Sequence, residues 1–156
     1  MITIKTNIDS FQSDFETRVD SVSLNEILEK IGNYQTEEMS KRFDDGVDAN
    51  GKRWKALTSR SGNPLRDTGA LMGSFNTTIS GSSVKVWTDK IYANIHDQGG
   101  VIVPKNKPVL KFKIDGHYYS SKKIVIPQRK FSGISSKNIE YINKLVKEYI
   151  EKKLNK

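Results

Sequence analysis

The sequence contains no cysteine. Disulfides, thiol nucleophiles and thiolate zinc sites are therefore excluded. Histidine is nearly as scarce, with only two copies, His96 and His117, which leaves little from which to assemble a histidine-based catalytic or metal site. No stretch approaches the ~20 consecutive apolar residues of a membrane-spanning helix. Residues 1–20 also lack the apolar run of a secretory signal, so the expectation is a protein outside the membrane that is not exported. Arginine is thin at the C-terminal end, where Arg129 is the only one after position 100.

What is present fits a globular chain. With 156 residues, 35% hydrophobic and 28% charged, it can bury a substantial core, and one domain over 1–156 is expected. The net charge of +8 is unevenly placed. Residues 1–100 carry 12 Lys+Arg against 14 Asp+Glu, a net of −2, whereas residues 101–156 carry 14 against 4, a net of +10. An electropositive last third suits DNA or an acidic protein surface. Lysine supplies most of that charge, and lysine is the poorer residue for bidentate phosphate or base contacts, which favours a solvated surface.

Hydropathy periods give the organisation. Ile2-Thr3-Ile4-Lys5-Thr6 alternates like a short strand, and Phe11, Phe15 and Val19 are spaced for a short helix. Ser23-Leu24-Asn25-Glu26 reads as a reciprocal capping box. It opens an amphipathic helix to about Asp44 with Leu24, Ile27, Leu28, Ile31, Tyr34, Met39 and Phe43 on one face. Gly32 lies inside that helix at a cost of about 1 kcal/mol and suggests a bend. Residues 44–64 form a long polar loop of turn residues. A helical segment over 65–74 precedes a hairpin of strands 75–80 and 84–88 around Gly81-Ser82-Ser83. Residues 91–98 form a helix stopped by Gly99-Gly100. Strands 109–114 and 124–126 flank Asp115-Gly116 and predict a second hairpin, within a basic extension spanning 101–126. The last helix carries Ile139, Ile142, Leu145, Val146, Tyr149, Ile150 and Leu154 on one stripe. The fold class is α+β, a mostly antiparallel sheet with a long N-terminal amphipathic helix and a C-terminal helix packed on it.

Catalytic signatures are missing. His96-Asp97 is the only adjacent His–carboxylate pair, and sequence neighbours on a helix point apart. No nucleophile elbow, His-Glu-x-x-His or phosphate-binding glycine loop occurs. Asp44, Asp45, Asp48 and Asn50 before Gly51 imitate a calcium loop. Aligning that glycine, however, places Gly46 at the first anchor and Leu57 at the last, so a turn is expected. The chain reads as no enzyme, with no cofactor or metal. Lys52-Arg53-Trp54-Lys55 could stack a nucleic-acid base, but one aromatic is better explained as the anchor of the polar loop to the core.

Four stretches carry a resemblance. They are Phe43-Asp44-Asp45-Gly46-Val47-Asp48-Ala49-Asn50-Gly51-Lys52-Arg53-Trp54-Lys55-Ala56-Leu57, then Leu65-Arg66-Asp67-Thr68-Gly69-Ala70-Leu71-Met72-Gly73-Ser74. After these come Ile91-Tyr92-Ala93-Asn94-Ile95-His96-Asp97-Gln98-Gly99-Gly100 and Ile126-Pro127-Gln128-Arg129-Lys130-Phe131. In order and spacing they resemble the phage virion morphogenesis, or tail-completion, proteins of Mu-like and related contractile-tailed phages and prophages. The likeness covers nearly the whole chain. Relatives usually read Pro-Ala-Arg-Pro-Phe-Leu-Gly at the last motif, where this chain has Pro127-Gln128-Arg129-Lys130-Phe131-Ser132-Gly133, a loss of a proline and a leucine that bears on the local packing or contact but not on the family.

The resemblance implies a structural protein that acts at tail completion or head–tail joining. It would be assembled in the host cytoplasm and carried in the virion, with itself (a ring) and other tail or neck proteins as partners. Trp54, Arg66, Arg129 and Phe131 are the candidate partner contacts, since arginine and aromatics dominate interface hot spots. Asp67 or Thr68 is expected to cap a helix from Leu71. Tyr92 and His96 should share a helical face packed on the sheet. Lys105, Lys107, Lys111, Lys113, Lys122 and Lys123 are candidate DNA-facing residues. The alternative is a sequence-nonspecific nucleic-acid-binding module using the basic C-terminal third. A host-directed prophage regulator is a third reading.

Overall fold

The computed structural model describes residues 16, 17, 19, 22–58, 62–114 and 116–155. The expected strand at 2–6 and the helix positions Phe11 and Phe15 lie outside them, while Val19 is helical and exposed. Helix α1 spans Leu24–Asp45 and is stopped by Gly46 in the left-handed region, φ 66°, the usual glycine C-cap. Ser23 is its N-cap and accepts from the Glu26 amide at 3.3 Å. The reciprocal half of the expected capping box is not made by Glu26. Its carboxylate instead meets Lys30 and Tyr149, and the Ser23 amide donates to the Tyr149 hydroxyl at 3.1 Å.

Ile27, Leu28, Met39 and Phe43 are buried as their spacing predicts, but Leu24 is exposed and the polar Gln35 and Arg42 are buried. Gly32 has a packing reason. A Cβ there would lie 3.0 Å from the Thr77 and Val84 methyl carbons, so the following hairpin approaches the bare backbone of α1.

That hairpin is β1 (Asn76–Ser80) and β2 (Ser83–Trp87), antiparallel in the expected order and joined by Gly81-Ser82. In the polar stretch before it, the Asp48 Oδ1 accepts from the Asn50 and Lys52 amides at 2.9 and 3.0 Å. This is the turn that its Asp/Asn content predicts. Residues 65–74 are not the expected helix. Leu65 and Gly69 have φ of 63° and 74°, which right-handed helix cannot contain, and only Met72–Ser74 forms a 3₁₀ turn. No side chain caps that turn, and the Thr68 hydroxyl accepts from the Ala70 amide instead.

Helix α2 (Ala93–Gln98) ends at Gly99 as expected. Strand β3 (Gly100–Ile102) follows, then β4 (Leu110–Ile114), β5 (His117–Ser121) and β6 (Ile124–Ile126). The second hairpin is real but its partner strand differs. β4 pairs with β5, and β6 pairs back with β3. Residues 117–121 read as polar turn sequence because Tyr118 and Tyr119 alternate with no buried apolar residue; all but Ser121 are exposed. Among the described residues the result is three antiparallel two-stranded ribbons. Helix α3 (Ser136–Leu154), capped by a Ser135/Asn138 capping box, packs on α1, with Tyr34 and Tyr141 stacked at 4.2 Å.

The core joins Met39, Phe43, Trp54, Leu71, Ala93 and Phe131. Phe43 is 0% exposed. It touches Trp54 edge-on at 5.5 Å, Phe131 at 5.2 Å and Phe75 at 5.9 Å. Such aromatic pairs add about 1 kcal/mol each beyond area burial.

Candidate functional site

The four motif stretches fold onto one another. Asp97, at the end of α2, is buried. Its Oδ1 accepts from the Phe131 and Ser132 amides at 2.9 and 2.8 Å, and its Oδ2 from the Ser132 hydroxyl at 2.8 Å. The third motif is thereby latched to the fourth. The carboxylate is committed to this loop rather than to its neighbour His96, whose buried Nδ1 has no hydrogen-bond partner among the described residues. Burial, and secondarily the charge of Arg129, hold the His96 pKa below its ordinary value. The departures in the fourth motif are absorbed here. Ser132 uses its hydroxyl on Asp97, while Lys130 contributes its carbonyl, which accepts from Trp54 Nε1 at 3.1 Å.

Three of the four candidate partner contacts are interior. Trp54 and Phe131 belong to the core. Arg129 is buried and donates from Nε to the Lys55 carbonyl at 2.9 Å and from Nη2 to that of Ala56 at 3.3 Å. Their side chains hold the polar loop and the fourth motif together. Arg66 is part-exposed and pairs with Asp44 at 2.9 Å, tying the second motif to the end of α1.

Sequence reasoning missed a residue that ties α1 to both the fourth-motif loop and α3. Arg42 is buried on α1. It donates to the carbonyls of Phe131 and Gly133, both at 2.8 Å, and to Asn138 Oδ1 at 3.0 Å. Asn138 in turn donates to the Tyr34 hydroxyl and to Glu38. Burial pushes the Arg42 pKa down and Glu38 opposes this. The available signal was Arg42 beside Phe43 on the inward edge of an amphipathic helix.

The motifs enclose an open cleft of about 660 Å³. Leu57 comes to it from the first motif, Asp67 and Leu71 from the second, Tyr92 and His96 from the third and Arg129 from the fourth. Tyr92 and His96 do share a face, edge to ring at 6.1 Å, with Ala93 buried beneath. Ile114 and the strand β6 form its far wall.

Beyond the cleft the β4–β5 arm projects. Lys105, Lys107, Lys111, Lys113, Lys122 and Lys123 are all exposed. The arm is two-faced. Lys111 and Lys113 pair across from Ser120 and Tyr118, while Phe112 stacks on Tyr119 at 6.0 Å on the other side. Tyr118 is 82% exposed, with Lys113 over its ring at 5.4 Å. Among the described residues no three His, Asp or Glu side chains gather as a metal site, and no helix is long and apolar enough to cross a membrane.

The four motifs brace an α+β body, and the lysine-bearing β4–β5 hairpin lies exposed beside it. The phage virion morphogenesis family matches residues 10–151, nearly the whole chain, and this chain belongs to that family. No curated protein and no solved structure matches it. The family assigns a structural, virion-associated role in phage assembly.

Proposed function

We propose that this protein completes the phage tail or joins it to the head, by protein–protein contact and as a ring of identical copies. The observation that carries this reading is how the motif residues are used. Asp97, Arg129 and Trp54 are spent on internal hydrogen bonds, as is Arg42 just before the first motif, while the arm and its lysines are left outside. Such a body offers complementarity rather than chemistry. Copies arranged about the tail axis would present the same patch repeatedly to neck or tail proteins. The protein would assemble in the host cytoplasm and leave in the virion, with no cofactor.

The test is a phage or prophage lysate lacking this chain. Electron microscopy should show filled heads and finished-length tails lying apart, and added purified protein should restore joined particles. Normal, infectious particles formed without it would contradict the assignment.

A second reading has one observation in its favour. Lys111, Lys113 and Tyr118 share one exposed face of the arm, and such a face could track phosphates without reading sequence. Binding would then fall steeply with salt.

A further inference from the structure

The β3–β6 ribbon is apolar on a side that no described residue covers. Val101 pairs with Val125 across it, and Val103 follows just beyond the end of β3. Their exposures are 56%, 64% and 57%. A two-stranded ribbon with β-branched residues in water on one face is an adhesive surface, which proteins leave open only where something docks. Lys105 and Lys107 follow Val103, and Lys122 and Lys123 precede β6. None of the four forms an ion pair among the described residues.

Those lysines decide what can cover the valines. Two copies meeting through the same ribbon would set the four lysines of one against the four of the other, and among the described residues of 100–126 there is no carboxylate to offset them, a repulsive arrangement. The occupant must bring carboxylates of its own. This chain carries them on another side. Glu29 and Glu37, on α1, are exposed and make no ion pair among the described residues. Glu37 also lies on a trough of about 580 Å³ between α1 and β1, where Met72 and Phe75 supply apolar surface and no lysine or arginine lines the wall.

We propose that the lysine-flanked valine ribbon of one copy docks on the α1–β1 trough of the next. Two different surfaces are engaged, so every copy keeps one donor and one acceptor. The contact runs head to tail and closes as a ring when its rotation closes. This rests on the assembly reading above and names the surfaces that reading requires.

Sedimentation velocity on full-length variants tests it, with circular dichroism confirming the fold. The wild type should sediment as a discrete oligomer. Reversing the ribbon charges (K105E, K107E, K122E and K123E together) should leave a folded monomer, and so should E29K with E37K. Both sets in one chain should regain the oligomer. If the charge variants misfold, Val101→Ser with Val125→Thr serves instead and should weaken association at least tenfold. An oligomer that survives both reversals, or a combined variant that stays monomeric, overturns the pairing of surfaces while leaving the ring. A ribbon-reversed chain that forms one-to-one dimers with wild type would show a same-face contact and overturn it too. A monomeric wild type at every concentration removes the ring itself.

Discussion

The hydroxyl of Tyr149 completes the N-terminal cap of a helix that begins more than a hundred residues earlier. It accepts from the Ser23 amide at 3.1 Å and donates to Glu26 Oε2 at 2.8 Å. A function that capping boxes assign to a local side chain is here given to the C-terminal helix, which couples α3 to the start of α1. Tyr149→Phe should cost about 1–2 kcal/mol, the usual loss for a cap and a partly buried hydrogen bond. Chemical denaturation measures it. Amide exchange should speed up at the first turn of α1 and leave the Phe43 region unchanged; uniform acceleration would show that the contact is merely part of the global core.

Acid should weaken the fold in two windows. Hydrogen bonds from Lys30, then Tyr149 and Lys153, lower the Glu26 pKa from 4.5 to about 2. A depressed carboxylate stabilises above its unfolded value, and that contribution is lost as pH falls from about 4.5 toward 2. His96 is also depressed from 6.5, so the unfolded chain takes up its proton first and stability declines as pH drops below about 6.5. Glu26→Gln should flatten the lower window of a pH–stability profile and His96→Phe the upper one. Profiles that keep their shape in both variants would contradict these assignments.

Gly32→Ala sets two effects against each other. Alanine gains about 1 kcal/mol of helix propensity, but its Cβ would meet methyl carbons of Thr77 and Val84 at 3.0 Å. Both neighbours are β-branched and stiff, so the net result should be destabilising by about 1–2 kcal/mol. In a Val84→Ala background the same substitution should become neutral or stabilising. Additive effects in that double-mutant cycle would show that the hairpin does not rest on Gly32.

Much of this architecture was legible from periodicity. α1, the β1–β2 hairpin, α2 with its glycine stop and α3 follow from apolar spacing and turn chemistry, and Trp54 anchors the loop as expected. The failures share a cause: long-range partners override local pattern. β6 reads as the mate of β4 because they flank Asp115-Gly116, yet it returns to β3, a three-residue strand too short to carry a period. Residues 65–74 look helical, but Leu65 and Gly69 turn the chain. Arg129 looks like a surface hot spot until carbonyls of Lys55 and Ala56 surround it. No spacing rule predicts those contacts.

Arg42 carries the sharpest prediction about the braced body. Arg42→Ala removes three hydrogen bonds and takes the Arg42 donor from the Phe131 and Gly133 carbonyls, while Asn138 Oδ1 keeps its bonds from Ser135. Charged hydrogen bonds of this kind contribute about 1.5–3 kcal/mol each before relaxation, so a loss of about 3–5 kcal/mol is expected in denaturant unfolding. Asn138→Ala should be less than additive with it, because the two share one network. Full additivity would mean that they act separately.

The central claim is that copies of this chain assemble with one another, and DNA is not what holds them together. Light scattering of the purified protein across a concentration series, with and without duplex DNA at low and physiological salt, tests it most directly. The account predicts a discrete oligomer whose mass is reached without DNA and is unchanged by adding it at physiological salt. A monomer that gains mass only with DNA, and loses it as salt rises, would contradict the account and establish the basic third as a nucleic-acid-binding surface.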